Sequence, residues 1–171
     1  MSEPAERLGE SPVEGRLDAE SLETRFAALR PKLLRICASL IGDGEAEDAV
    51  QDAYLLASRR LHQLHDERLF EAWVKRIAVN RCYDHHRRLR PLASPEPLEY
   101  MARSRTERDV ALRELVEELP PRQRTVLVLH YGHGYGLEEI ATILSLSHTN
   151  VRTIIARTRR RLQQALLEAE R

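Results

Sequence analysis

Hydrophobic positions recur at spacings of three and four along most of the chain, which is the period of an α-helix. Three such stripes occupy the first half, over residues 22–40, 46–64 and 69–88. Gly42-Asp43-Gly44 separates the first two stripes, and Pro31 predicts a kink or a division within the first. A sustained alternation of apolar and polar residues, typical of strands, does not occur. The pattern predicts an all-α protein.

The second half opens with the clearest interruption of this pattern. Three prolines between 91 and 97 predict a flexible linker over 91–106. Beyond the linker the apolar spacing predicts further helices, over 110–119, 122–131, 137–144 and 147–168. The predicted organisation is therefore two small helical domains: a disordered acidic tail (1–20), a first domain (21–90), the linker, and a second domain (107–171).

Residues 137–151 have the form of a helix-turn-helix. Ala141 is small enough for two helices to cross closely, and Ser147 is a suitable cap for the second helix. Such a helix places its first residues at base edges in the major groove, where Arg152 suits guanine and Asn150 suits adenine. The other polar residues of this face are candidate base or phosphate contacts: His148, Thr149, Thr153, Arg157, Arg159 and Arg160. An ordinary helical hairpin with an arginine-rich, solvated end is the alternative.

Charge is balanced over the whole chain but not along it. The 27 basic and 27 acidic side chains cancel, which by itself argues against nucleic-acid binding. Net charge is nevertheless −6 over residues 1–58, +5 over 59–90, −3 over 91–147 and +4 over 148–171. Each basic segment could face phosphates, although chance runs of charge on solvated helices would give a similar pattern.

Other classes of function have little support in the sequence. No apolar run approaches the roughly 20 residues of a membrane span, and residues 1–10 lack the apolar core of a secretory signal. Cys37 and Cys82 are too few for a disulfide framework and fit a reducing cytoplasm. Histidines within 62–86 resemble metal-ligand spacings, but a second cysteine pair is missing, so we predict no metal, cofactor or enzymatic activity. A dinucleotide-binding glycine loop comes directly after a β-strand. No strand is predicted before the glycines of 132–136, so these glycines do not indicate such a loop.

Three stretches in order resemble a bacterial extracytoplasmic-function (ECF) sigma factor of RNA polymerase with regions 2 and 4 only. Residues 43–54 resemble region 2.2, residues 70–88 resemble regions 2.3 and 2.4, and residues 119–161 resemble region 4. The resemblance implies an alternative sigma factor that binds core RNA polymerase and directs promoter recognition and transcription initiation. It also implies an anti-sigma partner. The rival hypothesis is a helix-turn-helix regulator of the response-regulator output type, which would not need residues 43–90.

The resemblance implies roles for particular side chains. A face that docks on the β′ clamp helices of the polymerase would be formed by Glu47, Asp48, Gln51, Asp52, Tyr54 and Leu55. Recognition and melting of the promoter −10 element would use Gln63, His65, Arg68, Lys75, Arg76, Asn80, Arg81, Arg87 and Arg88. Trp73 would either stack on a base or pack in the core. Region 4 would read the −35 element and contact the β flap.

Three positions depart from the family pattern. Ser145 stands where the family usually has Gly in the turn, which suggests a different turn geometry. Gly136 replaces the usual Ser or Thr cap of the first helix, and it is a weaker cap. Ile154 stands where many members have an arginine, so no −35 consensus sequence can be transferred to this chain.

Overall fold

The computed structural model describes residues 18–89, 112 and 114–169, with the side chains of 86–89 and 169 excluded. These residues contain helices and no strand, which confirms the all-α class. The main helices are α1 (Ala19–Ile41), α2 (Asp43–Arg60), α3 (Phe70–Leu89), α4 (Pro121–Leu127), which continues into a π-helical turn at Val128–Gly132, α5 (Leu137–Leu144) and α6 (His148–Ala169). Tail residues 1–17 and the linker 91–106 lie outside the described residues.

Helices α1, α2 and α3 pack on one another. The Asp18 carboxylate accepts a hydrogen bond from the Ser21 N–H at 2.8 Å, so α1 begins at Ala19, three residues before the predicted start and inside the predicted tail. It continues through Pro31 as one helix, so the predicted possibility of a division is wrong. Gly42, at φ +89°, ends α1, and α2 begins at the next residue.

The core of this three-helix unit is built from the apolar stripes that the sequence shows. Leu33, Ile36, Val50, Phe70 and Val74 are fully buried within it. Both cysteines also lie here as free thiols. A hydrogen bond with Cys37, together with burial, raises the pKa of Cys82 well above its usual value, so this thiol is unreactive.

The helix-turn-helix forms as predicted, with α5 and α6 as its two helices. The Gly136 N–H donates to the Glu139 carboxylate at 2.9 Å, and the Ser147 hydroxyl accepts from the Asn150 N–H at 3.2 Å, so both helix starts are capped. Ser145 lies in the left-handed region, at φ 52° and ψ 48°. The different turn geometry that the serine suggested is therefore absent: the turn keeps the form that glycine favours, at a cost of about 1–2 kcal/mol.

The helices before and after the linker share one hydrophobic core. Val126, Leu129 and Ile140 are fully buried in the same cluster as the side chains of α1–α3. A second, smaller cluster contains Val116 and Leu127. The sequence predicts two helical units on a tether; the structure shows in addition that the two units pack against each other.

Candidate nucleic-acid interface

The first two turns of α6 present an open polar face. His148, Thr149, Asn150 and Arg152 are all exposed, while Val151 between them is fully buried. Burial of Val151 fixes the rotation of the helix, because it must point into the core and its polar neighbours must then point outward. The structure therefore brings the predicted base-reading residues together on one accessible surface.

The remaining α6 candidates follow the same helix toward its middle. The Thr153 hydroxyl donates to the Thr149 carbonyl at 2.8 Å, so it is partly occupied within the helix. Arg157, Arg159 and Arg160 are exposed and could reach phosphates. Ile154 is half-buried and packs against the core, so it strengthens the fold where many family members have an arginine.

The predicted −10 residues on α3 are far less accessible. Lys75 is only 5% exposed, and its Nζ lies 2.9 Å from the Glu71 carboxylate, a bond that lowers the pKa of Glu71. Arg76 is half-buried, and Arg81 is paired with Asp84 at 2.6 Å.

Helix α3 also carries Trp73 and three further residues that are predicted to contact the −10 element. Asn80 is exposed. The Trp73 ring packs against the core, with its centroid 6.4 Å from that of Phe70, and keeps part of its surface open. The side chains of Arg87 and Arg88 lie outside the described residues.

The loop before α3 exposes the other −10 candidates. Gln63 closes a 3-10 turn at Leu61–Gln63, and His65 and Arg68 are also exposed. The Asp66 carboxylate accepts from the guanidinium and the backbone N–H of Arg68, and these bonds lower the pKa of Asp66. Asp66 thereby starts the second 3-10 turn, Glu67–Leu69, which leads into α3.

Arg25 of α1 holds this loop in place, a role that the sequence does not reveal. Its guanidinium donates to the Glu67 carbonyl at 3.0 Å and to the Glu67 carboxylate at 3.3 Å. It also lies 4.3 Å from the centroid of the Phe70 ring. Because these contacts join residues more than 40 positions apart, no local sequence signal could have indicated them.

The predicted docking face on α2 has exposed side chains at its centre, and the side chains at its edges contact residues of neighbouring helices. Asp48, Gln51 and Leu55 are exposed, with Leu55 at 44%. The other three residues have partners: Glu47 pairs with Arg30 at 2.5 Å, Asp52 lies 3.4 Å from His85, and Tyr54 packs edge-on against Phe26. The face therefore offers one apolar side chain surrounded by polar and acidic ones.

A groove of about 630 Å³ lies between α4, α6 and the segment that precedes α4. Its lining is mainly apolar and includes Val116, Leu127, Val128, Tyr131, Leu162 and Leu166. Tyr131 is 58% exposed. Ser39 of α1 and Arg159 of α6 lie at the same groove, which therefore touches both halves of the chain.

The described residues were also compared with the requirements of a metal site and of a membrane-spanning helix. None of their His, Cys, Asp and Glu side chains form a group of three or more that could hold a metal ion. Within the same ranges, every helix is too short or too polar for a bilayer crossing.

The chain matches two family models in succession. Residues 25–91 match the family described as "Sigma-70 region 2", and residues 109–162 match "Sigma-70, region 4". The first range contains most of α1 together with α2 and α3, and the second contains α4, α5 and most of α6. Together the two matches cover most of the chain.

Individual proteins give the same result. The chain is 34% identical over 127 residues to "ECF RNA polymerase sigma factor SigM" of Mycobacterium tuberculosis, covering 71% of this chain and 64% of SigM. It is 33% identical over 139 residues to "Probable RNA polymerase sigma factor RfaY" of Xanthomonas campestris pv. campestris, covering 72% of this chain and 34% of that protein. The chain thus spans less than two thirds of both relatives.

A solved structure has the same fold over nearly the whole chain. It is CnrH in complex with the cytosolic domain of CnrY, at 26% identity and a TM-score of 0.64, covering 90% of this chain and 92% of CnrH. Fold, family models and relatives agree, and the chain belongs to the extracytoplasmic-function class of the sigma-70 family, of which it carries regions 2 and 4.

Proposed function

We propose that this protein is an alternative sigma factor, which binds core RNA polymerase and directs it to promoters without catalysis of its own. The observation that carries the proposal is the match of residues 25–91 to region 2, on the same chain as a region 4 helix-turn-helix. A helix-turn-helix regulator of the response-regulator output type has no need of region 2, so that alternative is not favoured.

Region 4 would read the −35 element as duplex DNA. The open face at the start of α6 has the residue types that contact base edges in the major groove. Arg152 would contact guanine and Asn150 adenine, with His148 and Thr149 beside them. Arg157, Arg159 and Arg160 lie farther along the helix and would contact phosphates, which position the protein without reading sequence.

Region 2 would capture the −10 element as a single strand. The loop 63–68, held by Arg25 and Asp66, would form the pocket for an unpaired base, whose release from the stack costs a few kcal/mol. The basic side chains of α3, with Arg87 and Arg88 at its end, would follow the backbone of this strand. The linker 91–106 would set the distance between the two DNA elements.

Polymerase would be bound at two places. The exposed centre of the α2 face, at Asp48, Gln51 and Leu55, suits a basic partner such as the β′ clamp helices. The groove of region 4 suits an apolar segment, which we assign to the β flap. Tyr131 at this groove is exposed and aromatic, the type of side chain that is enriched at the centre of interfaces.

A protein with these contacts would act in the cytoplasm, where polymerase and promoter DNA are found. The related CnrH is in complex with the cytosolic domain of a second protein, CnrY. This supports the further proposal that an anti-sigma factor binds the present chain.

The test is in vitro transcription with purified core polymerase on a library of genomic promoter fragments. We expect a set of start sites that appears only when the protein is added. If core polymerase produces the same transcripts with and without the protein, the sigma-factor proposal is wrong.

A further inference from the structure

Within the described part of the chain, polar contacts between side chains join region 2 to region 4. Each contact pairs a residue before the linker with one after it, so none belongs to the fold of either region alone. They are Ser39 Oγ with His133 Nε2 at 3.1 Å, Tyr83 Oη donating to Thr125 Oγ1 at 3.0 Å, and Arg76 Nη1 donating to Ser145 Oγ at 2.5 Å.

A tyrosine of region 4 completes this interdomain interface. Gly134, at φ +71°, turns the chain before Tyr135, whose carbonyl lies 2.9 Å from His130 Nδ1. The Tyr135 side chain is 6% exposed, and its ring centroid lies 5.0 Å from the Lys75 ammonium and 6.0 Å from that of Lys32. Region 4 thus packs a buried aromatic ring beside a lysine of α1 and a lysine of α3 of region 2.

These contacts occupy side chains that we assign to the −10 strand. Lys75 lies against the Tyr135 ring, and the Arg76 guanidinium donates to Ser145. A single strand of DNA cannot contact Lys75 while it is buried, and its phosphates would compete with the Ser145 hydroxyl for Arg76. The −10 surface is therefore partly covered by the region that reads the −35 element.

We propose that the free protein is held closed by this interdomain interface, and that regions 2 and 4 must separate before the −10 strand can bind. The inference rests on the proposed function, because it is the −10 surface of region 2 that becomes covered. Polymerase would favour the open form because it would bind that form more tightly than the closed form, and a ligand shifts an equilibrium toward the state that it binds more tightly.

The interface has features of a contact that can be broken. Among the described residues, Tyr135 Oη and Arg76 Nε are buried without a hydrogen-bond partner, and both would regain water on opening. Ser145 occupies a backbone conformation that favours glycine, yet glycine has no side-chain oxygen that could accept the bond from Arg76. The serine at this turn thus serves the contact between regions rather than the turn itself.

Lysine labelling of the free protein tests closure directly, because the chain has just two lysines. Lys32 is exposed and serves as the internal reference for buried Lys75. With an acetylating reagent and mass spectrometry, we expect Lys75 to react about ten-fold more slowly than Lys32, as a group reached only through opening does. Equal rates would overturn the closed form.

Two variants separate closure from the folding of region 4. Ser145→Gly removes the acceptor of Arg76 and relieves the turn, so we expect faster Lys75 labelling with no loss of thermal stability. Tyr135→Ala uncovers Lys75 more fully. Ser58→Gly, at an exposed position of α2, is the control and should change neither rate. If neither test variant raises the rate at Lys75, the proposal is wrong.

A reversible cross-link then tests the consequence for transcription. Ser39→Cys and His133→Cys are combined and joined by a short bis-methanethiosulfonate reagent, which a thiol cleaves; excess reagent is removed before core polymerase is added. We expect efficient cross-linking, no promoter-specific transcript from the joined protein, and recovery after reduction. The parent chain, whose two cysteines are buried, is treated in parallel.

The outcomes distinguish this proposal from the proposed function. Full transcription by the joined protein, or failure to cross-link in the free state, overturns the inhibitory closure. If the reduced double variant and the parent chain both give no transcript, the sigma-factor proposal fails instead, while cross-linking and labelling still report on closure.

Discussion

The two surfaces assigned to DNA differ in how much of them is open. At the start of α6 the polar residues face outward, whereas on α3 Lys75 is buried and Arg76 donates to Ser145 of the other region. Both helices are basic and amphipathic, so their composition would not distinguish them. A basic helix can therefore bind DNA only where the packing of its neighbours leaves its side chains accessible.

The largest expected effect is on the binding of core RNA polymerase, the partner that we expect to separate regions 2 and 4. Changing Asp48 and Asp52 together to Arg reverses the charge of the α2 face, so we expect core polymerase to be lost in co-purification. Glu20→Arg with Glu23→Arg makes the same charge change at exposed positions of α1 and is the matched control. Equal polymerase binding by both double variants, with unchanged thermal unfolding, would remove α2 as the docking face.

The open surface is tested by Arg152→Ala. Loss of a bidentate guanine contact is expected to cost about 1–3 kcal/mol at the preferred −35 sequence and to relax the preference there. Promoter selection by the holoenzyme from a randomised −35 library gives the measurement. Arg160 is a proposed phosphate contact, so Arg160→Ala should weaken the binding of the holoenzyme to all −35 sequences equally. If Arg152→Ala gives the same uniform loss, Arg152 is a phosphate contact as well.

The stability of the open surface depends on the cap of α6. Ser147→Ala removes the acceptor of the Asn150 N–H, and we expect region 4 to lose about 1 kcal/mol of stability in urea unfolding. Ser58→Ala, on the exposed face of α2, is the comparison and should lose much less. A result in the reverse order would show that the cap contributes little.

The smallest expected effect is a pH dependence of the covered surface. Burial, with a lesser effect from nearby Arg35, lowers the pKa of His133 below its usual 6.5, so the closed form binds the proton less readily than the open form. The contribution of neutral His133 to closure is then fully present above about pH 6.5 and is lost as the pH falls below that value. The labelling rate of Lys75 relative to Lys32 should rise over that window, and His133→Gln should abolish the rise.

Most of the secondary structure follows from local rules that a sequence can show. The stripes of α1–α3 and the cap at Ser147 are set by periodicity and by residues within one helical turn of each other. The structure differs from the sequence-based expectations at Asp18, Pro31 and Ser145. Asp18 starts α1 early because a carboxylate caps a helix well, and Ser145 adopts a left-handed turn because the packing of α5 and α6 outweighs its backbone preference.

The site could be predicted only in part. The residues at the start of α6 are where the pattern places them, since Val151 and the other core-facing residues of the apolar stripe fix the rotation of the helix. The anchoring of the −10 loop by Arg25 and the burial of Lys75 depend on residues distant in sequence, so no local pattern could indicate them.

The helical class, the order of the helices, the helix-turn-helix and the residue types available for DNA and polymerase all follow from the amino-acid sequence. These features depend on spacing along the chain, which the sequence contains directly. The contact of Tyr135 with lysines of region 2, the bond from Arg76 to Ser145, and the covering of one basic surface but not the other depend instead on the packing of the folded chain. Such contacts join residues as far apart in the sequence as Lys32 and Tyr135, and their presence depends on the packing of both regions together.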